Sequence, residues 1–528
     1  MFTEVVRKFI PLLAGALAGL TLVLASTAAA KSYTTKGAWS FVSAPGVNPP
    51  KLKTNHRRGK LAHGDFMLAN TKDLAFSQPM VGEGGPLIVN SYMQPVWFKP
   101  VVMKISKQGQ TEVGSASTFN LHEQTYLGQP VLSWWQGTLT NTGATTSGED
   151  IVVNQHYQQV AKLSAPKTPA CSGCGPWVIT EHEFVIQGQD AWVTAYANVP
   201  MDLRKYGGPQ KGTVIDTAVQ EYDLKTGQML LNWDALKHIP LSDSHSKPFK
   251  SGVWDAFHEN SINLLPNKSF LVSMRNEWTG YAIDEATGNV LWKISGDPKL
   301  STFKLPSNAR FQWQHDIELH SGNVLTVFDD HCCNAIAQGK LASPTGPSRG
   351  LALKLNFSNH TATRAGVYSH GNSFYAAFLG NAQLLSNGNV TVGWGTQPFF
   401  SEYSKGGSLL FDARLPDPDQ SYRTYTQSWT GLPLTTPSGA VRKSKGKTTV
   451  YASWNGATQV VAWRVLAGSS KSHLSTMVKK ASKTGFETAI PVKGSSKLFE
   501  VEALSPSGKV LSTSKPFGTS NPALVGGY

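Results

Sequence analysis

Apolar and polar residues alternate along much of the chain in short runs, and turn residues separate these runs. One turn type follows an acidic residue, as in Glu221-Tyr-Asp-Leu-Lys-Thr-Gly227 before Met229–Trp233, and again in Ala282–Gly288 before Val290–Trp292. Short runs with a period of two, bounded by Gly, Asn or Asp, are typical of β-hairpins. The pattern therefore predicts paired strands rather than helices.

A second turn type contains asparagine, glycine or both, and alternating apolar residues follow it. Its markers Asn267, Gly322 and Gly388 return at two similar intervals. These intervals have the length of four-stranded propeller blades with loop insertions, and the segment from Gly82 to Asp412 accommodates about six. A β-sandwich has similar hairpins, but it does not sustain one period over so long a segment. We therefore predict an all-β fold with a β-propeller of about six blades.

Composition divides the remainder of the chain. Residues 437–447 are rich in serine and lysine, which is typical of a linker, and the alternating runs Val460–Val465 and Leu498–Ala503 predict a small C-terminal β-sandwich-like module. The expected order is a signal peptide over 1–30, an N-terminal extension over 31–81, the propeller over 82–436, the linker over 437–447 and the small module over 448–528.

The first thirty residues predict export. Arg7 and Lys8 precede the apolar run Phe9–Ala25, which ends on the small residues Ser26–Ala30. This order is typical of a signal peptide cleaved after Ala30. An uncleaved membrane anchor is the alternative, but the run is short for a bilayer span. We expect a secreted mature chain without stable membrane insertion.

The chain is basic, with a formal net charge of +14. A positive surface attracts anions. The lysines are dispersed, however, and cluster only at Arg442–Lys447 and at Lys479 with Lys480. This distribution favours a solvated basic surface over a nucleic-acid interface.

The four cysteines form two close pairs, Cys171 with Cys174 and Cys332 with Cys333. In an oxidising compartment such pairs predict two local disulfides. A zinc site or a thioredoxin-like redox motif is the alternative for the first pair, although adjacent cysteines suit a four-thiolate site poorly and no βαβ pattern surrounds Cys171.

Two histidines repeat at the interval of one blade. His258 and His315 are separated by about the same length of chain as the turn markers, and each lies just before the inner-strand turn of its blade. Equivalent positions on neighbouring blades converge on the propeller axis, so both imidazoles could meet a ligand in the central channel. Arg275 and Arg349 offer guanidinium groups to an oxyanion. The alternative is that these side chains have structural hydrogen-bonding roles.

Several ordered motifs resemble the arylsulfotransferase family, and together they span most of the mature chain. They are Gly85–Asn90 with Gln94–Trp97, Tyr126–Leu132 with Trp135–Gly137, Glu181–Phe184, Gln220–Asp223 with Thr226-Gly227, Phe257–Ser261, Gln314–Asp316, Phe328-Asp329 and Trp454–Thr458.

The resemblance implies a propeller enzyme that moves a sulfuryl group from an aryl sulfate to a phenol through a sulfated histidine. No nucleotide donor, cofactor or metal is implied. His258 and His315 would be the nucleophile or would stabilise charge, and Arg275 and Arg349 would anchor the sulfate. A neutral imidazole can attack sulfur and later leave, which divides one displacement into two.

The chain departs from the family pattern at one position. Family enzymes have a further active histidine in the following blade, where this chain has Phe378-Leu-Gly-Asn-Ala-Gln383. His370, a few residues upstream, is the candidate replacement.

Two other functions fit part of the sequence. The departure makes a non-catalytic extracellular propeller, binding an anionic aromatic ligand or a surface partner, an alternative. The pair Cys332 and Cys333 also suggests a quinoprotein dehydrogenase, for which a calcium-binding carboxylate set is not evident.

Overall fold

The chain forms a ring of antiparallel sheets followed by a small two-sheet module. The structure is a computed structural model that describes residues 33–71, 79–101, 115–139, 145–164, 168–332, 335–336, 340–341 and 343–519. Within these ranges six sheets follow one another as propeller blades, which we number 1 to 6 in chain order. The predicted signal peptide (1–30) and Cys333 lie outside the described residues.

Each blade contains four antiparallel strands, and blades 3 and 6 carry a fifth. Blade 1 contains Asp65–Asn70, Gly85–Val89, Pro95–Phe98 and Thr424–Gln427, and blade 2 contains Ser115–Tyr126, Gln129–Leu139, Thr145–Asn154 and Gln159–Ser164. Blade 3 contains Val178–Gln187, Asp190–Met201, Gly212–Asp223, Met229–Asp234 and Val253–Asp255, and blade 4 contains Glu259–Leu265, Ser269–Met274, Thr279–Asp284 and Val290–Ser295. Blade 5 contains His315–His320, Val324–Asp329, Arg349–Asn356 and Thr361–Ser369, and blade 6 contains Asn381–Leu384, Val390–Gly393, Phe399–Tyr403, Leu409–Arg414 and Lys53–Arg57. The predicted all-β propeller of about six blades is confirmed.

Both ends of the propeller segment close the ring. Thr424–Gln427, which follows blade 6, is the innermost strand of blade 1 and pairs with Asp65–Asn70. Lys53–Arg57, which precedes blade 1, pairs with the outer strand Leu409–Arg414 of blade 6. The structure therefore has part of the predicted N-terminal extension (31–81) inside the propeller, and we propose that the propeller begins near Lys53.

Large apolar side chains fill the space between neighbouring blades. This arrangement arises because each blade is a sheet with two faces, and both must be covered. The buried clusters join blades 1 and 2 (Met67, Trp134), 2 and 3 (Phe119, Phe184), 3 and 4 (Trp192, Phe270), 4 and 5 (Ile294, Leu325), 5 and 6 (Phe328, Val392), and 6 and 1 (Phe400, Phe66).

The innermost strands of neighbouring blades are joined by side chains. They contact one another in cyclic order, yet no backbone pairing links them among the described residues. Their inner edges would leave backbone groups unpaired, which is costly when they are buried. Polar side chains of one strand therefore bond to the backbone of the next: Gln427 to Glu123, Gln124 to Phe184 and Ile186, Asn263 to Leu319, Asp316 to Ala382, and Gln383 to Thr426.

The C-terminal module is a two-sheet sandwich. Its core includes Trp463 and Phe499, both fully buried. The side chain of Asn455, within the Trp454–Thr458 motif, bonds to both backbone groups of Phe98 and thereby joins the module to blade 1. One sheet contains Ser438–Ser444, Lys447–Ser453 and Glu487–Val492, and the other contains Ala462–Gly468, Leu474–Ser482, Leu498–Leu504 and Val510–Thr513.

The predicted linker (437–447) coincides with the first hairpin of this module. Ser438–Ser444 pairs with Lys447–Ser453 across a turn in which Lys445 and Gly446 are both left-handed. A two-residue turn of this kind suits the twist of a hairpin. We propose that the module begins near Ser438.

Helices are few and short. In the part of the chain that the structure describes, Ala235–His238 is the single α-helix, and no helix is long and apolar enough to cross a membrane. Short strands also pair as Tyr33–Thr34 with Met80–Val81 and as Ala335–Ile336 with Lys340–Leu341, and six 3-10 turns are Arg204–Tyr206, Leu241–Asp243, Arg275–Glu277, Ser307–Ala309, Ser321–Asn323 and Lys471–His473.

The ring closure gives a stability prediction at Asn381. The buried amide of Asn381 donates to the carbonyl of Thr424 (2.9 Å) and accepts from its N–H (3.0 Å). Asn381→Leu keeps the size of the side chain but leaves both backbone groups unpaired. We expect it to lower the free energy of unfolding by about 2–4 kcal/mol, measured by chemical denaturation. Asn308→Leu, at an exposed position, is the control, and equal midpoints for both variants would contradict the role of Asn381.

Candidate active site

Four histidines lie in, or directly before, the innermost strands of blades 2 to 5. Each precedes an acidic residue, and each lies beside an irregularity in strand register. Such bulges redirect a side chain away from the regular alternation of a strand. The four pairs are His122-Glu123, His182-Glu183, His258-Glu259 and His315-Asp316.

His258 has an oriented and accessible ring. Its Nδ1 lies 2.6 Å from Asp255 Oδ2, so the carboxylate accepts a hydrogen bond from Nδ1–H. The side chain is 24% exposed, and within the described residues no hydrogen bond reaches its Nε2. The backbone of His258 has a φ of 55°, a conformation that an L-residue rarely adopts and that often marks functional positions.

His315 lies next to His258 but is enclosed. The two ring centroids are 6.3 Å apart. Nδ1 of His315 lies 2.8 Å from Asp330 Oδ2, and its Nε2 accepts a hydrogen bond from the backbone N–H of Leu379 in the connection before blade 6. Burial, with a contribution from nearby Arg275, lowers the pKa of His315 well below its usual value. The imidazole of His315 is therefore neutral, both of its nitrogens are hydrogen-bonded, and it links blade 5 to the connection before blade 6.

His182 completes the cluster and was not among the residues predicted from the sequence. Its ring centroid lies 5.2 Å from that of His258, in an edge-to-face arrangement. The rings of Tyr196 and Tyr422 pack against it at 5.5 Å and 5.7 Å. Burial lowers the pKa of His182 well below its usual value, and the proximity of His258 and Arg423 adds to this effect.

His122 belongs to the same series of positions but packs elsewhere. Its ring contacts Tyr425, and its Nδ1 bonds to the carbonyl of Asn120. Burial lowers the pKa of His122 to about 4.

Arg275 brings a buried positive charge to the cluster. Its guanidinium donates to the carbonyl oxygens of Cys332 (3.4 Å) and Ala377 (3.3 Å), and it packs against the rings of Trp313 and Phe378. Burial lowers its pKa, while nearby carboxylates oppose that shift. These contacts fix the position of the guanidinium next to the histidine cluster.

A second arginine lies deeper in the channel. Arg423 precedes the closing strand Thr424–Gln427 and lies 2.9 Å from Glu183 and 3.5 Å from Asp316. This buried network balances charge along the axis and ties three blades together, since Arg423 belongs to blade 1, Glu183 to blade 3 and Asp316 to blade 5.

The other predicted site residues lie in different surroundings. Arg349 donates to Asp329 (2.9 Å) and to the carbonyls of Asn308 and Arg310, so its guanidinium serves the connection into blade 5. His370 bonds to Asp412 (2.9 Å) and packs against the aromatic rings of Phe374, Trp394 and Phe399. Neither has a contact with the histidine cluster among the described residues.

The cysteine predictions have separate outcomes. Cys171 and Cys174 form a disulfide in the connection before blade 3. Cys332 is buried, and its pairing with Cys333 stays a prediction because Cys333 lies outside the described residues. No cluster of His, Cys, Asp and Glu suited to a metal ion occurs among the residues described.

Two functional candidates escaped the sequence reasoning, although a signal existed for each. His182 shares the histidine-acid dipeptide with His258 and His315, but the interval from His182 to His258 is longer than one blade because blade 3 has long strands and a long exit connection. Tyr422 lies just before the closing strand of blade 1, as His258 lies just before blade 4. The Tyr422 hydroxyl is buried and makes no hydrogen bond to the described residues.

Comparison with known proteins identifies a family that covers most of the propeller. The family described as Arylsulfotransferase (ASST) matches residues 122–415, which is more than half of the chain. A search of curated proteins finds no significant match.

Solved structures resemble the chain only distantly. A protein of unknown function from Bacteroides caccae aligns at 13% identity over 69% of this chain and 98% of that chain, with a TM-score of 0.37. A putative 6-phosphogluconolactonase from Bacteroides fragilis aligns at 10% identity over 70% and 100%, with a TM-score of 0.33. The Dos1 propeller aligns at 10% identity over 76% and 92%, with a TM-score of 0.32. Similarities at this level carry no argument about function.

The acids of the channel give a pH prediction. Burial, followed by the charges of Asp316 and Glu183, raises the pKa of Glu318 to about 8 from an ordinary value of 4.5. An acid whose pKa is higher in the folded protein favours folding while it is protonated, so this contribution is lost as the pH rises from 4.5 towards 8. Glu318→Gln cannot ionise, and we expect its denaturation midpoint to fall less than that of the wild type between pH 5 and about 8.

The control is Asp417→Asn, at an exposed position after the last strand of blade 6. It should reproduce the pH profile of the wild type. A Glu318→Gln profile that also overlies the wild type would contradict the raised pKa.

Proposed function

The chain belongs to the arylsulfotransferase family, and we propose that it transfers a sulfuryl group from an aryl sulfate ester to a phenol through a covalent sulfohistidine, without a nucleotide donor. The observation that carries the proposal is the histidine cluster at the propeller axis, with one accessible imidazole beside a buried guanidinium. Family membership supports sulfuryl transfer in general, and the contacts of the cluster support the roles below.

His258 is the proposed nucleophile. Because Asp255 accepts the Nδ1–H, the lone pair is on Nε2, which is the arrangement of an oriented nucleophile. Its side chain is 24% exposed, whereas those of His182 and His315 are 4% and 0% exposed. The Nε2 of His315 is also occupied by the N–H of Leu379. Accessibility and tautomer therefore both favour His258.

The reaction proceeds in two displacements. First, the Nε2 lone pair attacks sulfur, the bond from sulfur to the aryl oxygen breaks, and the phenolate leaves with the electron pair and takes a proton from solvent. Next, the acceptor oxygen attacks the same sulfur, the sulfur–nitrogen bond breaks, and the electron pair returns to Nε2 while the acceptor proton passes to solvent. The Nδ1 proton stays with the ring, and the negative charge of Asp255 balances the sulfated imidazole.

The surroundings of His258 suit developing negative charge on the sulfuryl oxygens. Arg275 contributes a fixed positive charge, and its carbonyl partners hold it in place. The buried hydroxyl of Tyr422 is a further donor, since burial raises its pKa well above the ordinary value and keeps it protonated. The rings of His182 and His315 are neutral, so they contribute polar surface and Arg275 supplies the positive charge that attracts the anion.

The second feature proposed for this protein is export. The apolar leader Phe9–Ala25 predicts it, and the Cys171–Cys174 disulfide is compatible with an oxidising compartment. Aryl sulfates and phenols would then be met outside the cytoplasm. A mature chain from an exporting host, beginning at Lys31 on N-terminal sequencing, tests this proposal.

Transfer is tested with 4-nitrophenyl sulfate and a phenol acceptor. The purified chain should release nitrophenol faster when the acceptor is present, because the acceptor resolves the sulfohistidine. A folded chain that releases none at any pH would contradict the transferase and favour a non-catalytic propeller that binds aromatic anions.

The nucleophile is tested by trapping. With the donor alone, intact-protein mass spectrometry should detect one added sulfuryl group, and peptide mapping should assign it to His258. His258→Ala should lose the adduct and reduce nitrophenol release by about 10³-fold or more. His315→Gln offers an acceptor to Leu379 and should keep the adduct, so an adduct on His315 or persisting in His258→Ala would show that the assignment is wrong.

The orienting role of Asp255 gives a separate prediction. Asp255→Asn removes the charge that fixes the Nδ1–H tautomer and balances the sulfated ring. We expect kcat to fall by roughly 10²-fold, with little change in the denaturation midpoint because Asp255 is partly exposed. An unchanged kcat would contradict the role of this hydrogen bond.

A further inference from the structure

An open cavity of about 420 Å³ lies beside the histidine cluster, on the same face of the propeller. Two sets of connections form this face: those that enter blade 5, and those between the second and third strands of blades 4 and 5. Both sets lie at the same end of the antiparallel strands. The cavity is lined by two aromatic residues, Trp278 and His331, two cations, Lys299 and Arg310, and the polar Gln312. Its volume is in the range of small-molecule sites.

A single ring separates this cavity from Arg275. The guanidinium of Arg275 packs against Trp313, with 5.2 Å from Cζ to the ring centroid. Trp278 packs edge-to-face against Trp313, with 5.4 Å between centroids. A ligand with its sulfate at His258 could therefore extend past Trp313 to the wall formed by Trp278.

The wall is also linked to the proposed nucleophile by hydrogen bonds. Asn276 donates to the backbone carbonyl of Asp255 (2.8 Å), and its own carbonyl accepts from the backbone N–H of His245 (2.7 Å). The ring of His245 stacks on Trp278 at 3.6 Å. The position of Trp278 is therefore fixed relative to the Asp255 that orients His258.

Three aromatic residues around the cavity have a left-handed backbone. The φ angles are 53° at Trp278, 56° at Trp313 and 51° at His331. Bulky residues avoid this region, and such residues are concentrated at functional sites. In blade 6, the connection between the second and third strands uses Gly395 for its left-handed residue instead, at φ 55°. A tryptophan at Trp278 is thus not required by the turn itself.

The charge of the cavity favours an anion. Lys299 and Arg310 are exposed, and no ion pair involves either side chain within the described residues. Asp297 also lines the cavity, so its two cations face one carboxylate. An aromatic ring would pack on Trp278, and an acidic substituent would meet the two cations.

We propose that this cavity is a subsite for an aromatic ring that carries an anionic group, and that it selects phenols extended by such a ring. The inference rests on the proposed function. In a two-step transfer the leaving phenol and the accepting phenol occupy the same place, because each step is the reverse of the other in geometry. The subsite therefore acts on donors and acceptors alike.

Binding is measured by calorimetry with 2-naphthalenesulfonate, whose carbon–sulfur bond is not a sulfate ester. Trp278→Gly removes the aromatic wall and should raise Kd by about tenfold. Glycine suits the left-handed backbone but loses the packing on Trp313 and His245, so circular dichroism at the assay temperature verifies that the variant is folded. The double variant Lys299→Ala with Arg310→Ala should raise Kd by roughly three- to tenfold and weaken its salt dependence. Lys304→Ala, an exposed lysine of the same connection, is the matched control.

Kinetics separate this inference from the proposed function. The ratio of KM for 2-naphthol to KM for 6-hydroxy-2-naphthoic acid should fall about three- to tenfold in the double variant, because only the carboxylate meets the two cations. Trp278→Gly should raise both KM values about tenfold, because both phenols carry the ring that packs on Trp278. His258→Ala should abolish transfer but leave 2-naphthalenesulfonate binding intact. Wild-type Kd values in Trp278→Gly and in the double variant would overturn the subsite, whereas persistent transfer in His258→Ala would overturn the proposed function alone.

Discussion

The propeller depends on hydrogen bonds in which side chains of one innermost strand pair with backbone groups of the next. Among the described residues no backbone ladder joins the six strand edges around the axis, and buried N–H and C=O groups cannot remain unpaired without cost. Side chains such as Gln124, Asn263 and Gln383 supply the missing partners, each from one blade to the next. The same requirement fixes which side chains face the axis, because the bulges that allow these bonds also direct the histidines inwards.

This constraint separates the two histidines that the sequence singled out. His315 is one of the links between blades, since its Nε2 holds the N–H of Leu379 at the point where the family pattern has another histidine. His258 lies at the start of blade 4, as His315 lies at the start of blade 5, but no hydrogen bond reaches the Nε2 of His258 among the described residues. Two histidines that each precede an acidic residue thus differ in chemistry, because the next blade needs a hydrogen-bond acceptor from His315 and not from His258.

The sequence predicted the architecture well because hairpins are local. The recurring turns at Asn267, Gly322 and Gly388 were enough for the class of fold and for the approximate number of blades. The strand Lys53–Arg57 was missed because its side chains are mostly exposed and polar and its partner, Leu409–Arg414, lies at the opposite end of the propeller segment. The hairpin that begins at Ser438 resembles a linker in sequence, because a solvent-exposed hairpin and a linker are both rich in serine and lysine. His182 was missed because blade 3 breaks the spacing, and the surroundings of Arg349 and His370 depend on loops whose paths no periodicity encodes.

The closing strand also connects the site to the integrity of the ring. Tyr422 and Arg423 reach the axis only when Thr424–Gln427 has docked on Asp65–Asn70. During synthesis this strand emerges last among those of the propeller, so the cluster is incomplete until the circle is shut. By mass action, any anion that binds across His258 and Tyr422 favours the shut ring over the open one. A ligand bound at this cluster would therefore stabilise the closed ring, and cleavage of the chain before Thr424 would separate Tyr422 from the strand that holds it in place even while the other blades stay paired.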